Sequence, residues 1–163
     1  MAKDTQRLEV LGDLDEATSA IGLARALAAR AATKPLLAHL QRELFALMAE
    51  VAAPDAGTLS ARMGAETVAS LEADIDTLQP ELTLPGGFIL PGDSPGAGAL
   101  DLARTIVRRA ERHLVALSRE DEALNPHLFR YLNRLSSLLF LLARLDDNAA
   151  GVEAPTMAIE RED

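Results

Sequence analysis

Four arginines and one glutamate fall within nine consecutive residues, from Arg104 to Arg112. Guanidinium groups form strong, often bidentate hydrogen bonds with anions, so several of them on one helix could bind a polyanion. Arginines four positions apart repel each other by about 0.2–0.5 kcal/mol, and the single Glu111 can offset only part of the charge. The segment therefore predicts an anion-binding surface. The alternative is a solvated basic helix face whose salt bridges contribute little.

A second group of charges lies near the start of the chain, where Asp13, Asp15 and Glu16 follow Gly12. Unlike most other carboxylates of the sequence, these have apolar neighbours in a long predicted helix, which makes them candidate functional acids. The alternative is that they are ordinary acids near a helix N-terminus, where they complement the helix dipole.

Several common chemistries lack the residues they require. The histidines His39, His113 and His127 have no partner histidine three or four positions away, and no Glu-x-x-His pair occurs, so we expect no zinc or di-iron site. A P-loop sequence is absent. The chain has no cysteine, which excludes disulfides, zinc–thiolate sites and thiol catalysis and agrees with a reducing compartment.

The composition indicates one domain with a substantial core, because 48% of the 163 residues are apolar. A formal charge of −9 and an aromatic content of 3% oppose nucleic-acid binding. The first residues lack the apolar core of a signal peptide, and no stretch approaches about 18 uninterrupted apolar residues. We therefore expect a cytoplasmic protein that binds neither nucleic acid nor membrane.

Apolar residues recur at the helical period along most of the chain, which predicts an all-α fold, a five-helix bundle. In the arginine segment Leu100, Ala103, Val107, Ala110 and Leu114 form one apolar stripe, which would hold the arginines on a fixed frame. The predicted helices cover about 5–32, 35–53, a shorter stretch that ends before Pro80, 95–118, and a last helix that opens at Asn125-Pro126. A Pro-Asp-Ala-Gly loop at 54–57 separates the second helix from the third.

Residues 80–98 interrupt the helical pattern with four prolines and five glycines, which predicts a long irregular connection. Connections of this length in compact domains are often functional. Ser94 followed by Pro95 predicts the start of the fourth helix, with the serine hydroxyl as its cap. Residues 147–163 are acidic and poorly patterned, so we expect a core over about 5–146 and a loose acidic tail.

Five motifs, in a specific order and spacing across residues 7–145, resemble those of the PduO-type ATP:cob(I)alamin adenosyltransferases, the corrinoid adenosyltransferases. They are Leu11-Gly-Asp-Leu-Asp-Glu-Ala-Thr-Ser-Ala-Ile-Gly22, Gln41-Arg-Glu-Leu-Phe45, Phe88-Ile-Leu-Pro-Gly92, Ala103-Arg-Thr-Ile-Val-Arg-Arg-Ala-Glu-Arg112 and Tyr131-Leu-Asn-Arg-Leu-Ser136. The resemblance implies a helical bundle of the cobalamin adenosyltransferase-like type. It also implies transfer of the 5′-deoxyadenosyl group of ATP, bound with Mg²⁺, to the cobalt of cob(I)alamin or another reduced corrinoid, with release of triphosphate.

The same resemblance assigns roles to individual residues near the nucleotide. Arg104 and Arg108 match arginines that contact ATP, where fixed guanidinium groups would stabilise the leaving triphosphate. Asp15 matches an acid that pairs with the position of Arg104. Asn133 matches an asparagine that contacts the nucleotide, and Glu111 is expected to hold the geometry of the arginines.

Two aromatic residues are assigned to the corrinoid by the resemblance. Phe88 matches a residue that covers the lower face of the corrin and keeps an axial ligand away, which makes reduction to cobalt(I) accessible. An apolar ring suits this task because it excludes water and offers no lone pair. Phe140 resembles a second aromatic residue near the corrin pocket.

The chain also departs from the family pattern. The usual N-terminal Gly-rich ATP loop, Thr-x-Thr-Gly-Asp-x-Gly, is not found ahead of the first motif, and each lost hydrogen bond to a charged phosphate would cost roughly 1.5–3 kcal/mol. Asp13 and Asp93 replace neutral residues and would oppose a triphosphate if they face the site. These departures leave an alternative function, a non-catalytic corrinoid-binding relative that serves as carrier, regulator or structural subunit.

Partners also follow from the resemblance. It implies a homotrimer whose sites lie between subunits, a corrinoid reductase that supplies cobalt(I), and a B12-dependent enzyme that receives the product.

Overall fold

The computed structural model of the chain describes residues 5–53, 62–121 and 123–159. Five α-helices account for most of these residues, which confirms the predicted all-α fold of five helices. They are α1 (Gln6–Leu27), α2 (Thr33–Ala52), α3 (Ala65–Leu78), α4 (Pro95–Leu117) and α5 (Pro126–Ala149). The loop predicted at 54–57 lies outside the described residues. Within the described ranges, none of the helices combines the length and apolar character that crossing a bilayer requires.

Helix α4 lies at the centre of the bundle, packed against α1 on one side and α5 on the other, while α2 packs on α1 and α3 packs on α5. The apolar stripe predicted for α4 is fully buried from Leu100 to Leu114. Burial of a leucine or valine side chain contributes about 1.5–3 kcal/mol, so this stripe fixes the rotation of α4 about its axis. The arginines of α4 are consequently divided between its two flanks.

Helix α1 ends at Leu27, although the sequence predicts that it continues to Ala32. The carboxylate of Asp146 accepts hydrogen bonds from the backbone N–H groups of Ala29 at 3.2 Å and of Arg30 at 2.9 Å. Gly96 makes room for this contact, because a Cβ at that position would lie 2.0 Å from the Asp146 carboxylate. A long-range carboxylate thus ends the helix where the alanine-rich sequence favours its continuation.

Helix α5 extends three residues beyond position 146, near which the sequence predicts the boundary between core and tail. Helix α5 runs on to Ala149, and Asp146 and Asp147 are buried within it. Beyond α5 the chain returns to the irregular segment 82–94, where Leu90 N–H donates to Thr156 O at 2.8 Å and Ala158 N–H donates to Phe88 O at 2.9 Å. Residues 147–159 are therefore attached to the domain through buried acids and backbone hydrogen bonds, whereas 160–163 lie outside the described residues.

Two helices begin at a polar residue followed by proline, Asn125 for α5 and Ser94 for α4, and they differ in how that side chain is used. Asn125 accepts a hydrogen bond from the His127 N–H at 3.0 Å, as a capping side chain does. Ser94 occupies the capping position of α4, but its hydroxyl donates to Asp147 at 2.8 Å and makes no capping hydrogen bond. The Ser94 hydroxyl donates to Asp147 rather than to the helix because a buried carboxylate needs hydrogen-bond donors.

Candidate active site

A cleft of about 330 Å³ opens where α3, α4 and α5 meet. We call it the arginine cleft. Its wall contains three guanidinium groups, two serine hydroxyls and one aromatic ring. The residues that line it are Ile75, Gln79, Arg104, Arg108, Arg134, Ser136, Ser137, Phe140 and Leu141. The cleft thus brings together three of the residues predicted for the site, Arg104, Arg108 and Phe140.

The arginine cleft carries more positive than negative charge. The Arg104 Nε donates to Asp101 at 3.2 Å, and this carboxylate is shared with Arg144, whose Nη2 lies 2.6 Å from it. Across the described ranges of the chain, neither Arg108 nor Arg134 forms an ion pair, and the buried Nε of Arg134 has no hydrogen-bond partner. Arg108 is exposed and Arg134 is half-buried. Cations without counter-charges attract an anion, the more so where they are partly desolvated as Arg134 is, which fits the sequence prediction of an anion-binding surface.

Asn133 and Glu111 lie in an adjacent cleft of about 310 Å³, which shares Arg134 with the arginine cleft. The Asn133 Nδ2 donates to Glu111 Oε1 at 3.1 Å. Glu111 was expected to hold the arginines, but among the described residues its carboxylate pairs with this amide and with no guanidinium group. Glu111 therefore contacts Asn133, the residue expected to contact the nucleotide, rather than the arginines.

Asp15 does not lie near Arg104 within the chain. It is exposed on α1, two positions from the buried Asp13 that faces α4. Residues two positions apart are separated by a rotation of roughly 200° about the helix axis and so lie on nearly opposite sides. Asp15 therefore faces away from α4. The carboxylate that Arg104 contacts is Asp101 instead, and the pair between Asp15 and Arg104 is not formed within one chain.

Phe88 lies outside the arginine cleft, in the irregular segment, with 83% of its surface exposed. The segment pairs with the end of the chain through an isolated antiparallel bridge between Ile89 and Met157. Phe88, Met157 and Ile159 border a broad open depression of about 1080 Å³. We call it the Phe88 surface. The two predicted aromatic residues are therefore separated, Phe140 in the arginine cleft and Phe88 on this surface.

The opposite flank of α4 carries Arg109, whose Nε lies 2.7 Å from Asp13 and which also pairs with Glu16. His113 lies 2.6 Å from the same Asp13 carboxylate. The hydrogen bond with Asp13 raises the pKa of Arg109 above its usual range. Asp13 thus faces arginine and histidine on α4, and the concern that it opposes a bound triphosphate does not arise within this chain.

Asp93, the other acid that replaces a neutral residue, accepts hydrogen bonds from the backbone N–H and hydroxyl of Thr156 at 2.8 and 2.6 Å. These bonds hold the pKa of Asp93 below its usual range. Its charge therefore fastens the returning end of the chain to the irregular segment rather than lining the arginine cleft.

The sequence interpretation missed three residues of the site: Arg134, Asp101 and Arg144. Arg134 follows Asn133 directly, and a charge next to a predicted site residue was a usable signal. Arg144 stands alone in the leucine-rich stretch from Leu138 to Leu145 and has only 5% of its surface exposed. A lone cation within such a stretch requires a buried acid, because an unpaired buried charge is costly. No sequence pattern identifies that acid as Asp101, 43 residues away.

The family model and the curated relatives that match this chain all carry the description of a cobalamin or corrinoid adenosyltransferase. The family described as cobalamin adenosyltransferase matches residues 1–146. The corrinoid adenosyltransferase PduO of Citrobacter freundii is 40% identical over 92% of this chain and 45% of its own length. The corrinoid adenosyltransferase of Bacillus subtilis is 40% identical over 92% of this chain and 79% of its own. The chain thus spans less than half of the PduO relative and most of the Bacillus one.

Solved structures agree with the sequence relatives. A variant of the PduO-type ATP:corrinoid adenosyltransferase from Lactobacillus reuteri, complexed with cobalamin and ATP, superimposes with a TM-score of 0.89 at 29% identity, over 98% of this chain and 90% of that one. A second variant of the same protein, complexed with ATP, superimposes with a TM-score of 0.88. The likeness extends over the whole bundle, including the helices that form the arginine cleft.

Proposed function

Because this chain belongs to the cobalamin adenosyltransferase family, we propose that it transfers the 5′-deoxyadenosyl group of ATP to the cobalt of a reduced corrinoid and releases triphosphate. Cobalt(I) supplies the electron pair for the new bond to C5′. The bond from C5′ to the triphosphate oxygen breaks, and its electron pair leaves with the triphosphate. The protein's task is to bind both substrates, align them and stabilise the charge that develops on the leaving group.

The observation that carries this proposal is the unbalanced positive charge of the arginine cleft. Arg108 and Arg134 have no carboxylate partner among the described residues, and Arg104 shares one with Arg144. Arg104 is held by Asp101 before a ligand arrives, and a positive group fixed in advance stabilises a leaving oxyanion more effectively than a mobile one, because it needs no reorganisation. A triphosphate, with Mg²⁺ as its counter-ion, has the charge and extent to contact all three guanidinium groups.

The neighbouring cleft would receive the nucleoside part of ATP. The hydrogen bond from Asn133 to Glu111 uses an amide hydrogen and leaves the amide oxygen to accept a hydrogen bond from the nucleoside. Because Arg134 lines both clefts, the phosphates and the nucleoside would lie next to each other. Glu111 then acts on the nucleotide indirectly, through the orientation of Asn133.

The corrinoid would be shared between subunits of a homotrimer. Within one chain Phe88 is exposed and separate from the arginine cleft, and Asp15 faces away from α4. Assembly of three copies would bring Asp15 of one subunit to Arg104 of the next and would place the Phe88 ring against a corrin ring. A corrinoid reductase, a B12-dependent recipient enzyme and a cytoplasmic location remain predictions from the sequence.

The proposal is tested by supplying purified protein with ATP, Mg²⁺ and chemically reduced cob(I)alamin. We expect light-sensitive adenosylcobalamin and one triphosphate per corrinoid, followed by absorbance and by ion chromatography. Binding of cob(II)alamin with a spectral change, but without any ATP-dependent product, would favour the non-catalytic carrier instead.

The shared site is tested by combining two variants. Asp15→Ala and Arg104→Ala should each lose most of the activity alone, since each lacks one half of the intersubunit pair. Unfolding and refolding them together should restore part of the activity, because mixed trimers contain some interfaces with both residues. Light scattering should give three times the chain mass of 17.4 kDa. A monomer, or no recovery of activity on mixing, would contradict the shared site.

A further inference from the structure

Asp101 is a buried carboxylate that lies directly behind the arginine cleft without lining it. It is on α4 with 3% of its surface exposed. Its two oxygens accept from the Arg104 Nε at 3.2 Å and from the Arg144 Nη2 at 2.6 Å. One acid thus contacts the cleft arginine on its own helix and a buried arginine on α5.

Arg144 connects this acid to two other features. Its guanidinium carbon lies 5.4 Å from the centre of the Phe140 ring, the distance of a favourable cation–π contact. It also lies 3.3 Å from Asp147, which accepts the hydroxyl hydrogen of Ser94 at the end of the irregular segment. The ion pair between Asp101 and Arg144 therefore contacts Arg104 through its acid and the Phe140 ring through its arginine.

The atoms used in these contacts matter for the chemistry of the cleft. Arg104 engages Asp101 through Nε, so both of its terminal nitrogens remain available to a ligand. An arginine side chain loses rotamer entropy when it is fixed in one position. An arginine that is fixed before the ligand arrives has already met this cost during folding. Arg108 and Arg134 have no such carboxylate among the described residues.

We propose that Asp101 is a positioning residue for the transfer reaction, which holds Arg104 towards the leaving triphosphate and, through Arg144, holds the Phe140 ring in the cleft wall. This inference rests on the proposed function. Asp101 is not a catalytic residue, because it is buried behind the arginines and does not line the cleft. Its effect on a ligand is transmitted by Arg104.

The first test is Asp101→Asn, which keeps the shape of the side chain and removes its charge. We expect the KM for ATP and the Kd for inorganic tripolyphosphate to rise about tenfold, with the helical circular dichroism retained. Glu50→Gln is the matched control. Glu50 is also buried and accepts from Arg62, Met63 N–H and Asn125, at the opposite end of α5 from the cleft. It should lower the melting temperature and leave both constants unchanged.

A binding cycle separates positioning from a general loss of stability. If Asp101 acts through Arg104, then Asp101→Asn should weaken tripolyphosphate binding in the wild-type and Arg108→Ala backgrounds but add nothing in the Arg104→Ala background. Equal losses in all three backgrounds would overturn the proposal. Arg144→Lys serves if Asp101→Asn does not fold, since one ammonium cannot reproduce the contacts of a guanidinium group. It should raise the KM for ATP about threefold, and a KM equal to that of the wild type would overturn the proposal.

The outcomes distinguish this inference from the proposed function. Wild-type protein that binds tripolyphosphate but forms no adenosylated corrinoid would refute the proposed function, and the binding cycle would still decide the role of Asp101. If the wild-type protein forms the product, and neither Asp101→Asn nor Arg144→Lys changes the KM for ATP, the positioning role alone would be refuted. Wild-type protein that binds neither ATP nor tripolyphosphate would refute both.

Discussion

The two flanks of α4 carry the same residue type but differ in how its charge is balanced. On the α1 flank, Arg109 pairs with two carboxylates, Asp13 and Glu16. On the α5 flank, Arg104 shares one carboxylate with Arg144, and Arg108 has none among the described residues. One flank is neutralised within the fold, and the other keeps a positive excess beside a cleft.

From this difference we predict that the balance of charges, rather than the arginine content, marks the functional flank. An ion pair satisfied inside the protein can contribute to stability but has little left to offer a ligand. A guanidinium group that lacks a carboxylate gains nothing from the fold and can gain from a bound anion. We therefore expect α4 to have a structural flank, which faces α1, and a binding flank, which faces α5, and substitutions should separate the two roles.

The largest effect should come from removing a cleft arginine. Arg104→Ala and Arg108→Ala should each lower kcat/KM by roughly 100-fold, since one charged donor to the leaving group is lost. Arg108→Ala should leave the melting temperature unchanged, because this side chain is exposed. Arg119→Ala, an exposed arginine just beyond the end of α4, is the control and should retain full activity. Wild-type kinetics in both cleft variants would remove the distinction between the flanks.

Arg134 should give the next largest effect. Its substitution by alanine should raise the KM for ATP about tenfold, because a charged hydrogen bond contributes about 1.5–3 kcal/mol and this group has no competing partner. Arg130 precedes it by one helical turn and is exposed, so Arg130→Ala provides a comparison on the same helix. If Arg130→Ala weakens ATP binding more than Arg134→Ala, the nucleotide lies mainly in the cleft that contains Asn133.

On the structural flank we expect a loss of stability without a loss of turnover. Arg109→Gln leaves the buried Asp13 with His113 as its remaining ionisable partner. The free energy of unfolding should fall by about 1–2 kcal/mol, less than for a fully buried pair because 37% of the Arg109 side chain is exposed. Urea unfolding and steady-state kinetics measure the two properties. Lost turnover with unchanged stability would assign this flank to the site as well.

The smallest effect concerns a further ion pair, between Arg7 of α1 and Asp121 just beyond the end of α4, at 2.6 Å. The hydrogen bond from Arg7 holds the pKa of Asp121 below its ordinary value of 3.8. Since the unfolded chain then binds the proton more readily, this pair stabilises the protein above pH 3.8 and stops doing so as the pH falls through the lowered pKa.

Asp121→Asn tests this pH dependence. It should lower the free energy of unfolding at neutral pH by about 0.5–1 kcal/mol. The difference from the wild type should disappear in strongly acidic solution, as urea titrations at several pH values would reveal. A difference that persists at all pH values would show that the charge of Asp121 is not the source of its contribution to stability.

Much of the fold was predictable because it depends on local patterns. The period of the apolar residues predicted the five helices, and the buried stripe of α4 agrees with it residue by residue. The arginine motif predicted an anion-binding surface, since side chains at positions 104 and 108 must share one flank of any helix. These features follow from residue types and spacings within a few helical turns.

The tertiary structure decided which charges meet. Asp101 and Arg144 are 43 residues apart, Asp13 and Arg109 are 96 apart, and Asp146 ends α1 from 116 residues away at Arg30. No local pattern encodes such pairs, because they depend on the rotation and packing of separate helices. The sequence by itself determined that α4 would be an arginine-bearing amphipathic helix. Only the packing of α1 and α5 against it determined which arginines are neutralised and which remain available to a ligand.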